Sequence, residues 1–373
     1  MKFSIKKEVL LQSLNSVSKA LSSKNLIPVL SGIKFNLTNE GLFLSASDND
    51  ISIETFINKD KLEEIEQVGS TVIQGKYILE IIRKLEGRII NIELLDNIKV
   101  LISCGNSEFN LNCMDVNEFP NLNIEEKKEP IIIKKSEFKN LINKTSFAVS
   151  TQETRPILTG INFKIKESKL ECISTDSYRL AKKYVNLDNN VSEDINIVIP
   201  GKNLIELTKI IEDNEEDIQM HVFTNKVLFK FDDTLFQTRV LSGTFPDVDR
   251  LIPDSFELEV KINANEFYNV IDRAALLTSE KDKNIVKFEC EGKEVTVSSN
   301  SPEIGRVEEK IDVEKNNENN IKIAFSSKFM MDALRTIESK DVNLCFNNDV
   351  QPIIIKDDED STLLQLILPI KTY

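Results

Sequence analysis

Residues 72–85 read VIQGKYILEIIRKL, and residues 198–211 read VIPGKNLIELTKII. Each stretch opens on a β-branched pair, turns at Gly75 or Gly201, and continues with apolar residues at helical spacing. The reading is a strand that runs straight into an amphipathic helix, written twice. A third copy, IAFSSKFMMDALRTI, occupies residues 323–337, and its Lys328 stands where the others have Lys76 and Lys202, at a constant separation of 126 residues. A period this long belongs to repeated domains rather than to a solenoid.

Outward from these copies, the rest of the chain repeats as well. Residues 25–35 read NLIPVLSGIKF and residues 154–163 read TRPILTGINF, with turn glycines at Gly32 and Gly160. The copies open alike, Ile5 with Leu10, Ile133 with Phe138 and Ile262 with Phe267, each pair five residues apart. Two of them close alike, on Glu118-Phe119-Pro120-Asn121 and Thr244-Phe245-Pro246-Asp247, and Leu368-Pro369-Ile370 stands where a third closing segment belongs. Boundaries fall near 128, in a charged run before Pro130, and near 254, at Pro253-Asp254, both read as exposed linkers. The domains are then 1–128, 129–254 and 255–373. In each, a strand leads into a first helix (7–22, 136–149, 265–279), alternating strands follow, and a second helix comes later (75–86, 201–212, 327–338). Two helices packed on antiparallel sheet per copy is α+β architecture.

Composition narrows the function. The 373 residues are 40% hydrophobic, enough for a core in each copy. No apolar run is long enough to span a membrane, and Met1 starts directly on a strand-like pattern, so a cytoplasmic location is expected. The five cysteines (Cys104, Cys113, Cys172, Cys290, Cys345) are scattered and never spaced C-x-x-C, which reads as reduced thiols. The net charge of −14 argues against indiscriminate phosphate binding. The sign is nevertheless segregated: the six helical segments with their flanks total +6 and the remainder −20. If the helices share a face, that face tolerates a polyanion while the rest repels it.

No catalytic constellation stands out. Pro200-Gly201-Lys202 lacks the upstream glycine of a phosphate loop, and Asn203 stands where Ser or Thr is needed. The acidic clusters at 212–217 and 357–360 lack the spacing of a calcium loop. With His221 as the one histidine, the usual acid–base toolkit is missing, and no cofactor or metal is expected.

At this point the residues carry a family. The segment from Phe147 to Gly160, FAVSTQETRPILTG, resembles the start of the middle domain of the bacterial DNA polymerase III β subunit. Thr175-Asp176-Ser177-Tyr178-Arg179-Leu180-Ala181 resembles that family's T-D-x-x-R-L-A element, and Phe245-Pro246-Asp247 and Leu368-Pro369-Ile370 match its other hallmarks. The resemblance runs end to end. It implies a non-catalytic processivity factor: two three-domain chains joined head to tail into a homodimeric ring, helices inside and sheets outside, encircling double-stranded DNA without reading sequence. By resemblance, Lys24, Lys76, Gln152 and Lys202 touch DNA. Phe109 and Leu111 meet Leu276 and Leu277 across the dimer interface. A short-peptide pocket gathers Leu158, Thr175, Arg179, Leu180, Pro246, Leu251, Leu366, Leu368, Pro369 and Ile370, with Arg179 as a donor at its rim. Its partners would be the polymerase III α subunit, the clamp loader and other proteins carrying the same peptide motif. The chain departs from some members at Pro156 and Ile157, where two tyrosines stand, and at Ser177-Tyr178, where Gly-His stands.

Two rival readings remain: an adaptor built from the same repeat that binds peptides without loading on DNA, and a carboxylate-based enzyme on a repeat scaffold. Retention on circular but not linear DNA separates clamp from adaptor. Absence of turnover with peptide binding intact removes the enzyme.

Overall fold

The computed structural model describes all residues except 22–26, 97, 125, 127–128, 189–190, 192, 279–283 and 372–373. Among the described residues six α-helices alternate with strands: α1 (Lys7–Val17), α2 (Gly75–Lys84), α3 (Lys135–Thr145), α4 (Gly201–Thr208), α5 (Ala264–Ala275) and α6 (Ser327–Leu334). Each coincides with an expected helical segment, α3 and α5 starting one residue before it, and most end a turn early. In α1 the cause is local. Ser16 and Ser18 turn their hydroxyls back onto the carbonyls of Gln12 and Asn15, and the chain tightens into a single 3-10 turn at Ser18–Ala20. At the C-terminal end of α2, the Lys7 ammonium donates to the carbonyls of Arg83 and Leu85.

The repeat is visible in the packing. Ile5, Ile133 and Ile262 are buried, as are the helix residues that follow them, Leu10, Phe138 and Phe267. Each strand thereby anchors its helix at the first turn. Gly32 and Gly160, expected as turns, are each the extended first residue of a strand that follows a 3-10 turn, and they explain why the quoted motifs travel together. A Cβ on Gly32 would overlap the side chain of Val72, and one on Gly160 that of Val198. The strand of one motif lies against the turn of the other, with Gly32 opposite Gln74 and Gly160 opposite Pro200.

The sequence counts three copies, whereas the packing forms two units. The first comprises Met1–Phe138 with Glu206–Val240, and the second Lys139–Ile205 with Leu241–Tyr373. Hydrogen-bonded ladders cross the copy boundaries inside each unit, which is why the two counts differ. The first unit holds one thirteen-stranded sheet. In it, the first-copy strand Ile51–Asn58 pairs antiparallel with the second-copy strand Thr234–Arg239, with Ile53 opposite Phe236. The Arg239–Asp50 ion pair at 2.8 Å closes the end of that ladder. The second unit holds a nine-stranded and a four-stranded sheet. In the larger, the second-copy strand Arg179–Asn186 pairs with the last strand of the chain, Leu363–Ile367.

Strand edges left open among the described residues include one in each unit. In the first unit, Ser107–Met114 pairs with Lys99–Cys104 along one side, but on the other only Cys113 and Met114 are paired. In the second, Gly305–Asp312 is the edge of the four-stranded sheet. No helix among the described residues is long and apolar enough to cross a membrane.

Candidate functional site

The site lies in the second unit and starts from strand register. Five neighbouring strands, Lys169–Thr175, Arg179–Asn186, Leu363–Ile367, Ile353–Asp357 and Asp341–Phe346, place Thr175, Leu180, Leu366, Ile354 and Cys345 in one row across the sheet. Successive side chains alternate faces, so this row shares one face, and Ser174, Ala181, Gln365, Ile355 and Leu344 share the other. The second row meets the ends of helices: Ser174 donates to the Thr145 carbonyl, and Gln365 donates to the Thr336 hydroxyl at 2.5 Å.

The first row is covered by residues 244–256, which run from the closing segment at Thr244-Phe245-Pro246-Asp247 through the linker expected at Pro253-Asp254. Val248 is fully buried in a cluster with Ile173, Leu180, Cys345, Ile354 and Leu366, and Phe245, Ile252, Phe256 and Leu368 pack half-buried around it. The expected linker at Pro253-Asp254 is exposed at Asp254, while apolar residues at 245, 248, 252 and 256 hold the stretch around it on the sheet. That spacing was present in the sequence, but the two prolines, Pro246 and Pro253, hid it.

Two ion pairs to one carboxylate tether the covering segment. Lys182 donates to Asp249 at 2.8 Å, and Lys164 stands 3.6 Å from the same carboxylate. The hydrogen bond from Lys182 holds the Asp249 carboxyl below its usual range, against the effect of partial burial. A depressed carboxylate contributes its stabilisation above its ordinary pKa and loses it as pH falls through the lowered one. The tether is therefore intact at neutral pH.

The mouth of the site is apolar and open. Leu251 is 47% exposed, and Pro246 in the same covering segment is exposed as well. Tyr178, 63% exposed, lies over Phe329 with ring centroids 6.4 Å apart. The C-terminal tail is stitched along the rim: the Leu368 N–H donates to the Tyr178 carbonyl at 2.9 Å, and the Ile370 N–H to the Ala324 carbonyl at 2.7 Å. Ile370 thereby leaves the apolar row and lines a neighbouring cavity of about 460 Å3. Leu158 is buried in the turn Pro156–Thr159, where Ile157 adjoins Gly243 just before the covering segment. Pro369 is half-buried.

Arg179 departs from its expected place at the rim. It alternates with Leu180 and faces the helices, 8% exposed. Its Nε donates to Asp176 at 3.0 Å and its Nη1 to Asp332 at 2.7 Å, while the guanidinium lies 4.5 Å from the Phe329 ring centroid. It is a positioning residue. It fixes the turn that carries Tyr178, a turn in which Ser177 takes a positive φ of 77°.

The remaining expected site residues are scattered over the surface. Lys76 and Lys202 are exposed at the second position of α2 and α4, Gln152 is exposed in the loop that precedes Pro156, and Lys24 lies outside the described residues. Phe109 is 38% exposed on the open strand of the first unit, with Leu111 half-buried. Leu276 is 76% exposed just past the end of α5, and Leu277 beside it is half-buried. All five cysteines are unpaired thiols. Among the described residues, no three His, Cys, Asp or Glu side chains converge as a metal-binding group.

A tandem of helix-and-sheet copies with an apolar groove and open strand edges is a scaffold that holds other molecules. Comparison with known proteins gives that scaffold a family. Models of the DNA polymerase III beta subunit match in succession: its N-terminal domain at residues 1–123, its central domain at 132–247 and its C-terminal domain at 249–371. The beta sliding clamp of Bacillus subtilis is 43% identical and that of Staphylococcus aureus 41%, each over the full length of both chains. The crystal structure of the Bacillus subtilis DNA polymerase sliding clamp superposes with a TM-score of 0.95 at 42% identity, and that of the Streptococcus pneumoniae DNA polymerase III beta chain with 0.94 at 34%. Both cover the whole of each chain. The chain belongs to the DNA polymerase III beta subunit family.

Proposed function

We propose that two copies of the chain close head to tail into a ring around duplex DNA and hold the replicative polymerase there through a short peptide seated in the apolar groove. The protein is a non-catalytic processivity factor of DNA replication. Its action is topological: a closed ring cannot leave duplex DNA sideways, so tight phosphate binding would only slow its sliding. The working domains are 1–128, 129–254 and 255–373, and the working compartment is the cytoplasm.

The observation that carries the peptide reading is the buried row Thr175, Leu180 and Leu366, rimmed by half-buried Phe245, Ile252 and Leu368, with Leu251 exposed at its mouth. Large exposed apolar side chains beside a half-covered core mark a binding surface. Burying two or three partner side chains supplies roughly 1.5–3 kcal/mol each before ordering costs, so micromolar affinity for a short peptide is expected. Leu251→Asp changes an exposed residue and leaves the fold intact. It is expected to weaken a labelled peptide from the polymerase III α subunit at least about tenfold in fluorescence anisotropy. Unchanged affinity would remove this groove as the partner site.

Helix polarity supports the DNA reading. Lys76, Lys202 and Lys328 each occupy the second position of a helix, where a cation opposes the macrodipole at a general cost of about 0.3–1 kcal/mol. Three repetitions of an unfavourable placement suit a surface kept for an anion. Joint substitution Lys76→Glu and Lys202→Glu is therefore expected to raise the thermal midpoint slightly while weakening binding to linear duplex. The slope of log affinity against log salt should flatten by about 1 for each phosphate that the lysines had neutralised. A steepness equal to that of the unaltered protein would show that these lysines touch no phosphate.

A further inference from the structure

The cavity beside the C-terminal tail carries the charge that the apolar groove lacks. Three lysines line it, Lys287, Lys322 and Lys371, against two carboxylates, Glu289 and Asp349. They are not equally committed. Glu289 lies opposite Lys322 on the neighbouring strand, and Lys322 is held by Glu289 at 3.1 Å and Glu291 at 3.4 Å. Lys287 and Lys371 are exposed, and among the described residues neither has a carboxylate within ion-pairing distance. Two uncommitted ammonium groups thus face one uncommitted carboxylate, Asp349, in a chain whose net charge is −14. The floor is apolar, formed in part by Ile370, with Val350 52% exposed at the edge.

The cavity lies two residues along the C-terminal tail from the groove. Leu368 borders the apolar cluster, and Ile370, two residues on, lines the cavity. Two residues of extended chain span about 7 Å, so a bound peptide needs only two or three further residues to pass from one to the other. We propose that this cavity takes an acidic side chain flanking the apolar anchors of a partner peptide, with Lys287 and Lys371 as its counter-charges. The inference rests on the peptide-site reading and adds to it a charge preference in the partner. The apolar floor suits the methylene stem of a glutamate, and the lysines meet its carboxylate at the rim.

The test uses the full-length protein and five peptides: the short α-subunit peptide, the same peptide extended by two glutamates at either end, and glutamine counterparts of both extensions. On the unaltered protein, one glutamate extension is expected to bind about threefold to tenfold tighter than its glutamine counterpart, with the gain fading at high salt. In the double variant Lys287→Ala with Lys371→Ala the gain should vanish while the short peptide binds unchanged. Both substitutions are at exposed positions, so the unchanged short peptide also reports an intact fold. Glutamate and glutamine extensions that bind alike at both ends would overturn the inference and leave the groove standing. A gain that survives in the double variant would place the anion elsewhere and overturn it too. If the short peptide itself fails to bind, the peptide-site reading falls first and the inference goes with it.

Discussion

Leu276→Ala combined with Leu277→Ala is expected to give folded chains that no longer pair. Leu276 is 76% exposed, so its side chain contributes little to the core of a single chain, and Leu277 is only half-buried. Their place beside an open sheet edge suits an interface. Gly305–Asp312 in the second unit can meet Ser107–Asn112 of another chain by strand addition, with the leucines packing against its Phe109 and Leu111. At about 0.8 kcal/mol per buried CH2, each truncation removes roughly 2 kcal/mol from an interface. A two-fold head-to-tail ring contains that interface twice, so four truncated leucines remove roughly 8 kcal/mol, a change in dissociation constant of about a millionfold. Sedimentation at nanomolar concentration should show a monomer, and urea unfolding should show a chain nearly as stable as the original. A double variant that still sediments as a dimer at that concentration would reject the assignment.

Arg179→Ala is expected to cost about 3 kcal/mol of stability in the second unit. The side chain bridges Asp176 and Asp332, which are 14% and 20% exposed, and stacks on Phe329. Removing one partner of a buried ion pair typically costs about 3–5 kcal/mol because the other charge is left uncompensated. The lower end applies here: Asp332 keeps Arg335 at 3.1 Å, and Asp176 still accepts from the backbone N–H groups of Tyr178 and Arg179. Arg179→Lys should recover only part of the loss, because a point charge cannot bridge two carboxylates and lie flat on a ring. The same variant should weaken the short peptide, since the turn that carries Tyr178 loses its brace. A loss below about 1 kcal/mol in urea unfolding, with peptide affinity unchanged, would mean that Arg179 positions nothing.

The repeat made much of the fold legible. Ile5 with Leu10, Ile133 with Phe138 and Ile262 with Phe267 state the same strand-to-helix anchor three times, and all six residues are buried. Gly32 and Gly160 were expected as turns but begin strands, and the reason they must be glycine, the valines of the next motif, is a meeting of segments some 40 residues apart. The helix ends were less legible, because serine hydroxyls competing for carbonyls leave no mark on hydrophobic periodicity. The ladders that cross the copy boundaries were not legible at all. They depend on pairing between strands far apart in sequence, such as Ile53 with Phe236, and nothing local signals such a partner. In the groove, Leu180, Leu366 and Thr175 follow from strand alternation once the register is known. The same alternation turns Arg179 away from them, a consequence hidden while the two were read simply as neighbours.

The ladder between Ile51–Asn58 and Thr234–Arg239 also sets a schedule for the nascent chain. When the first copy emerges from the ribosome, one side of Ile51–Asn58 has no partner, and it stays so until Thr234–Arg239 is made. At about 5–20 residues per second that wait lasts roughly 10–35 s. During it the growing chain exposes a long strand edge rich in isoleucine and phenylalanine, the kind of template that recruits neighbouring chains. The polysome is therefore where this protein is most exposed to misassembly, and a chaperone that shields the edge would do most good between the making of the first copy and the completion of the second.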